Sequence, residues 1–493
     1  MTTALNPIVN PRIRVGVLGD DEIRRIHAAT LDVIESVGVR FPSSRALDVW
    51  AASGAHVDRG TGVMRARGAL IEAALRLAPA AFTLAARDPS QDLPLDGRHV
   101  YAGTDGCGIE VIDLETGELR RSSLRDVAEI ARVADALEEV AFHWVAVSAQ
   151  DRPSESRGLH ELAAIWGNST KHVQTESIVS EREARAAVDM AAAVAGGLDR
   201  LRERPVLSLM ECTTSPLGQD GGAVDAGLVC AEAGVPVGFM TMASCAFTGP
   251  VSRAGTLVVG NAEVLSALAL MQLAYPGCPV YYAAAQTAMD LRTGAYTGGG
   301  PEDFAFGAAT NALADFYRVP LSMGAFATGA HEPDWQAGLE NGLSAFLASA
   351  VGSDMLLGLG LLHGSRIWSY EQLLMDCEIY AIVRETLAGV EVSDETLALD
   401  VIRAVGPGGD YLAEEHTRRH MRDLWQPRYL DRRPHGAWLA ARDGARDRAR
   451  ARARALLAEH RPEPLDSAVS AALDAIIAGV EAEARGAPEL VPG

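Results

Sequence analysis

The chain has 493 residues, 48% hydrophobic and 22% charged, a globular composition with enough apolar material for a large core. Its 44 basic and 65 acidic residues leave a formal net charge of −21, and a surface that acidic repels nucleic-acid phosphates and anionic lipid, which argues against both as partners. Cys107, Cys212, Cys230, Cys245, Cys278 and Cys377 form no CxxC and no Cys/His group with zinc spacing, so free thiols in a reducing, cytoplasmic setting are expected and a metal is not.

The N-terminal run MTTALNPIVNPRIRVGVLGDDE lacks an apolar signal core. Ile23, Ile26, Leu31, Ile34 and Val37 recur at helical spacing over Asp20–Val37, and Gly38 stops the helix. A shorter helix is expected over Ala69–Leu77. Short β-prone runs then alternate with helical ones, the pattern of βα units. The expected strands are His99–Gly103, Val140–Val147, Lys171–Thr175, Val206–Met210, Val235–Met240, Val280–Ala284, Leu321–Ala325 and Met355–Leu359. The helices after them are Leu124–Leu137, Gly158–Trp166, Glu181–Ala195, Val224–Gly234, Ala254–Tyr275, Pro301–Tyr317, Trp335–Val351 and Tyr370–Leu387. Ile109–Leu114 adds a further candidate strand inside the first unit. Leu257–Leu273 is the most apolar run, but Asn261 and Glu263 interrupt it, so no membrane span is expected.

Eight strand–helix pairs in series point to a closed (β/α)8 TIM-type barrel, with a doubly wound open sheet as the alternative. The expected organisation is an N-terminal helical segment packed on the barrel (1–95), the barrel itself (96–390) and a C-terminal helical extension (391–493). The extension opens with short helices around the breaker Gly406-Pro407-Gly408-Gly409. It ends in Arg446–His460 and Leu465–Ala484, which read as exposed amphipathic helices, the basic residues of the first forming a solvated face.

In a barrel the reacting groups come from the C-terminal strand ends and the loops after them. That rim includes Asp105, Glu176, Glu211, Gln286, His331, His363 and Arg366. A loop-bracing role competes for Glu211, and solvated loop positions compete for His331 and His363. Glu263, inside an apolar helix, reads as a buried structural hydrogen-bonding group. Tyr281, Tyr282, Tyr296, Trp335, Trp368 and Tyr370 lie near the rim; core packing accounts for most of them, and a subset could face a cation. Schiff-base chemistry is discounted, because the only lysine, Lys171, begins its strand on the stability face. Hydrolytic metal chemistry is discounted because no HxH or HExxH occurs.

Several runs occur in an order that resembles the trimethylamine methyltransferase family. They are Ile26–Thr30, Asp113–Asp126, Ala243–Thr256, Asn261-Ala262-Glu263 with Gln272–Gly277, and Asp290–Gly294 leading to Pro301-Glu302. The order continues through Asp334–Ala337, His363-Gly364, Tyr370–Asp376, Val405–Gly409, His416-Thr417 and Trp425-Gln426-Pro427, so that the resemblance spans about Ile23 to Trp438. It implies a barrel that moves a methyl group from a methylated amine to the cob(I)alamin of a separate small corrinoid protein. Founding members carry pyrrolysine near the barrel centre; this sequence has none, and relatives without it are associated with quaternary amines such as glycine betaine.

A quaternary nitrogen already carries positive charge and leaves as a neutral tertiary amine, so no catalytic acid or nucleophile is assigned. The task left to the protein is positioning and exclusion of water. Substrate contacts are expected from Glu211, Gln286, His331 and His363, with Arg366 a further partner for a substrate carboxylate and aromatic walls from Tyr282, Trp335 or Trp368. Strand alternation decides whether Tyr281 or Tyr282 faces inward. Glu211 would attract the ammonium group. A homo-oligomer is expected. The alternatives are cobalamin-independent, folate-linked transfer or other C–N chemistry on such an amine, and a non-catalytic amine-binding barrel.

Overall fold

Eight parallel strands follow one another around a closed sheet: β1 (His99–Thr104), β2 (Val140–Trp144), β3 (His172–Thr175), β4 (Leu207–Cys212), β5 (Val237–Thr241), β6 (Val280–Ala284), β7 (Leu321–Gly324) and β8 (Met355–Leu359). The structure is a computed structural model, and it describes residues 2–296 and 298–486. β8 pairs in parallel with β1, Met355 opposite Tyr101 and Leu356 opposite Ala102. That ladder closes the barrel and removes the open-sheet alternative, because an open sheet would leave both edges unpaired.

The ring of helices is formed by α4 (Leu124–Asp135), α5 (Arg157–Asn168), α6 (Glu181–Ala195), α7 (Leu198–Glu203), α8 (Gly221–Ala233), α9 (Arg253–Ala274), α10 (Pro301–Tyr317), α11 (Trp335–Val351) and α12 (Tyr370–Ala388). Local chemistry sets their ends. Ser180, Asp220, Asp334 and Ser369 cap the first turns of α6, α8, α11 and α12, and left-handed Gly196, Gly234 and Gly352 end α6, α8 and α11. The candidate strand inside the first unit is present as Glu110–Ile112, paired with Leu119–Arg121 and with Ile367–Trp368.

α9 does satisfy the length and composition of a membrane-crossing helix despite Asn261 and Glu263, but 78% of its apolar window is buried within the fold. The two polar residues are core fixtures. The Asn261 side-chain amide donates to Thr30 and to Tyr317 at 2.9 and 2.8 Å. Glu263 accepts from Thr213, Ser215, Thr241 and the Leu217 backbone at 2.7–2.9 Å, which pins the loop after β4, the structural role read from its position.

The helices before the barrel, α1 (Asp20–Ser36), α2 (Ser44–Ala52) and α3 (Gly68–Leu75), pack on α9. Residues 1–95 are not purely helical. Val39–Arg40, His56–Asp58 and Val63–Arg65 form a small antiparallel sheet, and Phe82–Leu84 pairs with Leu93–Leu95. Strands of two or three residues are too short for alternation to register in a sequence.

Beyond α12 come α13 (Asp394–Leu397), α14 (Leu399–Val405), α15 (Glu415–His420), α16 (His435–Ala441), α17 (Ala445–Glu459) and α18 (Ser467–Gly486). The last two are docked rather than free. Ala449, Ala453 and Leu456 bury one stripe of α17 against α4 and α12, and Leu473, Ile477 and Val480 bury one stripe of α18 against α5 and α6. Four of the α17 arginines are engaged: Arg446 binds Glu332, Arg448 binds Asp443, Arg450 binds buried Glu371 at 2.7 Å, and Arg454 binds Glu115.

Candidate active site

Alternate residues of the strands fill the barrel interior, with Tyr101, Phe142, Met210, Met240, Tyr281 and Met355 forming one buried cluster. Glycines on neighbouring strands make room for its rings. A Cβ at Gly103 would stand 2.5 Å from Phe142, and one at Gly238 would stand 2.1 Å from Tyr281. The Tyr281 hydroxyl donates to the Leu209 carbonyl at 2.9 Å and lies 3.1 Å from Gln174. This packing makes a solid floor.

Above the floor, at the C-terminal ends of the strands, lies a cavity of about 150 Å³. Trp144, Met240 and Leu357 line its base. Asp105, Cys107, Glu176 and Cys212 stand around it, and Tyr296 covers it from the loop after β6. No arginine, lysine or histidine is among its lining residues. The Tyr296 ring lies against Gly364, where a Cβ would come within 2.9 Å of it. Gly364 is held in turn by its N–H donating to the Thr328 carbonyl at 2.9 Å, so the loops after β6, β7 and β8 interlock.

Both carboxylates in the cavity are harder to ionise than usual. Burial lifts Asp105 to about 6, against the hydrogen bonds it accepts from the Ser365 hydroxyl and the Gly106 N–H. Burial lifts Glu176 to about 7, opposed by the Cys107 thiol that donates to it and reinforced by the charge of Asp105. The second oxygen of Glu176 and the indole N–H of Trp144 have no hydrogen-bond partner. Burial also raises the Cys107 and Cys212 thiols, which keeps both protonated and weakly nucleophilic.

The residues expected at the site from sequence fall in three places. His331 and His363 stand together on the rim with ring centroids 4.2 Å apart, both exposed. The His363 N–H donates to the Ala330 carbonyl at 2.8 Å, which seats it beside Gly364 at the cavity edge. Partial burial, then the neighbouring His331 and Arg366, hold the His363 imidazole below its ordinary range. Arg366 is exposed on the same loop and pairs with Glu110 at 2.9 Å.

Glu211, Gln286, Tyr282 and Trp368 are buried and are not among the cavity lining residues. Glu211 occupies the strand position that alternates with Met210, on the side of Leu207 and Leu209. It lies among negative charges: burial first, then Glu176, Asp220 and Glu183, push its carboxyl well above the usual range, and one of its oxygens accepts no hydrogen bond. Gln286 ties the end of β6 to α9 and α10 through the Thr256 carbonyl and the Thr310 hydroxyl. The Tyr282 hydroxyl bonds Asn261 of α9, so of the two adjacent tyrosines it is Tyr281 that faces inward. Trp368 packs on Gly360 and Tyr370 in the core. Trp335, the first residue of α11, is 78% exposed. Asp105 and Glu176, already on the expected rim, are the acids that reach the cavity. Trp144 and Cys107 carried no separate signal beyond strand alternation.

A closed (β/α)8 barrel whose C-terminal mouth holds a small acidic, aromatic-walled cavity defines a TIM-barrel enzyme. The sequence matches the family profile "Trimethylamine methyltransferase (MTTB)" over residues 1–484. It is 37% identical over 467 residues to trimethylamine methyltransferase MttB of Desulfitobacterium hafniense, covering 94% of each chain. It is 33% identical over 468 residues to the glycine betaine methyltransferase of Desulfitobacterium hafniense strain Y51, covering 94% of this chain and 97% of that one. The solved monomethylamine methyltransferase of Methanosarcina barkeri shares the fold, with a TM-score of 0.51 and 13% identity over 90% of this chain and 96% of its own. The chain belongs to the trimethylamine methyltransferase family. It is a methyltransferase, and its sequence contains no pyrrolysine.

Proposed function

We propose that the chain moves a methyl group from a small quaternary amine of the betaine type to the cob(I)alamin of a separate corrinoid protein. The observation that carries this reading is the cavity itself. Two carboxylates and two aromatic rings, Trp144 and Tyr296, surround a space with no cationic side chain in its lining, a receptor for a positive group that donates no hydrogen bonds. The free oxygen of Glu176 faces no competing donor, and an ammonium placed beside it would favour its ionised form. His331 and His363 stand one step outward, spaced to take the carboxylate of a betaine through their ring N–H groups, with Arg366 behind them.

With a quaternary donor the C–N bond breaks to release a neutral amine, so these residues need only hold the ammonium, aim one methyl outward and keep water out. The corrinoid cofactor, when docked, supplies the strongly nucleophilic metal that accepts the methyl. The mouth fits such a partner. Phe247, Val251 and Leu291, on the loops after β5 and β6, are 69%, 74% and 72% exposed, an apolar collar beside the cavity residues Met242 and Tyr296. Six free cysteines accord with a cytoplasmic setting. A homo-oligomer is supported by the segment between α12 and Tyr429, where Val390, Val392, Leu412, Met421 and Leu424 are each more than half exposed.

The test is to incubate the protein with reduced cobalamin and a panel of donors and to follow the loss of the cob(I)alamin absorbance. Loss with one or more betaines and not with trimethylamine supports the proposal. Loss with trimethylamine alone overturns the substrate assignment, and demethylation of a betaine without any cobalamin overturns the acceptor.

A further inference from the structure

From Ala388 to Arg428 no side chain is buried, yet the segment folds into α13, α14 and α15. Helices this short do not hold their shape from propensity alone, and a segment without a core needs another tie. The tie is visible where α13 meets α15. His416 and His420 stand four residues apart on α15, on one face, with ring centroids 4.5 Å apart. Glu395 of α13 reaches the same point: its carboxylate lies 3.1 Å from His420 Nε2, and its carbonyl oxygen lies 3.4 Å from His416 Nε2. One ligand atom from each of Glu395, His416 and His420 lies within 4.8 Å of the others. On the far side of the His420 ring, Nδ1 lies 2.8 Å from the Asp423 carboxylate.

We propose that Glu395, His416 and His420 bind one divalent transition-metal ion of the zinc class, which staples α13 to α15. Two imidazoles and one carboxylate on a tetrahedral or five-coordinate ion are a zinc, cobalt or nickel donor set, whereas magnesium and calcium call for oxygen alone. Asp423 acts as the outer carboxylate: by accepting the Nδ1–H hydrogen bond it keeps the proton on Nδ1, leaves the Nε2 lone pair of His420 for the ion and fixes the plane of the ring. Arg419 also reaches Glu395, at 3.0 Å, and being 54% exposed it can turn to solvent when an ion takes the carboxylate. The site shares no residue with the barrel-mouth cavity, and its ion takes no part in methyl transfer. The sequence signal is a His-x3-His spacing on a helix, distinct from HxH and HExxH.

The experiment uses the full-length chain stripped of metal. Titration with Zn²⁺, read by calorimetry and by competition with a chromophoric chelator, should show one ion per chain bound at about micromolar affinity or tighter, with Mg²⁺ silent. His416→Ala and His420→Ala should each weaken it by about tenfold or more, and Asp423→Asn by less. Zn²⁺ should also slow tryptic cleavage after Arg418 and Arg422. Co²⁺ should give a visible d–d spectrum in the wild-type protein, a readout independent of any variant's folding. A His331→Ala/His363→Ala protein should keep the same stoichiometry and affinity. Absence of Zn²⁺ binding and of a Co²⁺ spectrum, binding unchanged in His416→Ala/His420→Ala, or binding lost instead with the rim histidines would each overturn the proposal and leave a network of ion pairs and hydrogen bonds only.

Discussion

The Cys107 thiol, just past the end of β1, donates to the Glu176 carboxylate, just past the end of β3, across the barrel mouth. That contact leaves Glu176 with one oxygen engaged and one free in a cavity where its pKa sits near 7. Burial thus lifts the Glu176 carboxyl, one of the two that line the cavity, into the neutral pH range.

Betaine affinity should rise with pH through about 7, because the ionised form of Glu176 binds the ammonium better. Glu176→Gln should flatten that profile and weaken binding at pH 8 by about 1–2 kcal/mol, roughly ten-fold or somewhat more. Calorimetric titration of glycine betaine between about pH 6 and 8.5 reads both. An unchanged slope in the variant would remove Glu176 from the site.

The same shift affects stability with the opposite sign. The folded chain holds the Glu176 proton more tightly than the unfolded chain does, so this contribution is complete below the ordinary carboxylate range and is lost as pH rises through about 7. Without ligand, Glu176→Gln should therefore melt higher than wild type at pH 8, by about 1 kcal/mol, with the gap closing near pH 5. Thermal melts of both proteins across that range check it.

The rim histidines should affect substrates selectively. His331→Ala and His363→Ala should each raise KM for carboxylated donors about three- to thirty-fold and leave KM for choline, which has no carboxylate, nearly unchanged. Both side chains are exposed, so the melting temperature should hold. Equal loss on both donor types would place the substrate carboxylate elsewhere.

Gly238 is a packing requirement of the barrel floor. Gly238→Ala places a methyl group 2.1 Å from the Tyr281 ring and should destabilise the fold by about 2–3 kcal/mol, with partial rescue by Tyr281→Leu. Gly167→Ala, on α5 with nothing within 4 Å of the new methyl, should be neutral or slightly stabilising. Urea denaturation of the variants separates the two cases.

The apolar residues between α12 and Tyr429 should lie between subunits. Leu412 and Leu424 are 86% and 67% exposed, and Leu412→Asp/Leu424→Asp should lower the mass in solution, measured by light scattering, without unfolding the barrel. An unchanged mass would place the contact elsewhere.

The barrel was legible because βα alternation is a long-range rhythm: all eight strands stand within a few residues of the runs that announce them. The site was legible only to the level of the rim. Glu211 and Glu176 both end apolar strands and look alike in a sequence, but they differ in parity against their own barrel-facing neighbours. Met210 faces inward, so Glu211 turns toward the helices, whereas Gln174 reaches Tyr281 inside the barrel, so Glu176 follows it into the cavity. Tyr281 and Tyr282 are separated by the same rule. The pairing of His331 with His363 depends on two loops bonding to each other through Ala330 and Thr328, a tertiary contact that no local pattern encodes. The docking of α17 was hidden by its charge, since an Ala-and-Leu stripe at three- and four-residue spacing looks weak among so many arginines.

A crystal structure of the protein soaked with glycine betaine would show whether the cavity is a receptor for a quaternary ammonium. The trimethylammonium group should lie in the barrel mouth, within about 6 Å of the Trp144 and Tyr296 ring centres and beside Asp105 and Glu176, with the carboxylate turned to His331 and His363. Betaine density outside the mouth, or a carboxylate rather than an ammonium group against Glu176, would contradict it.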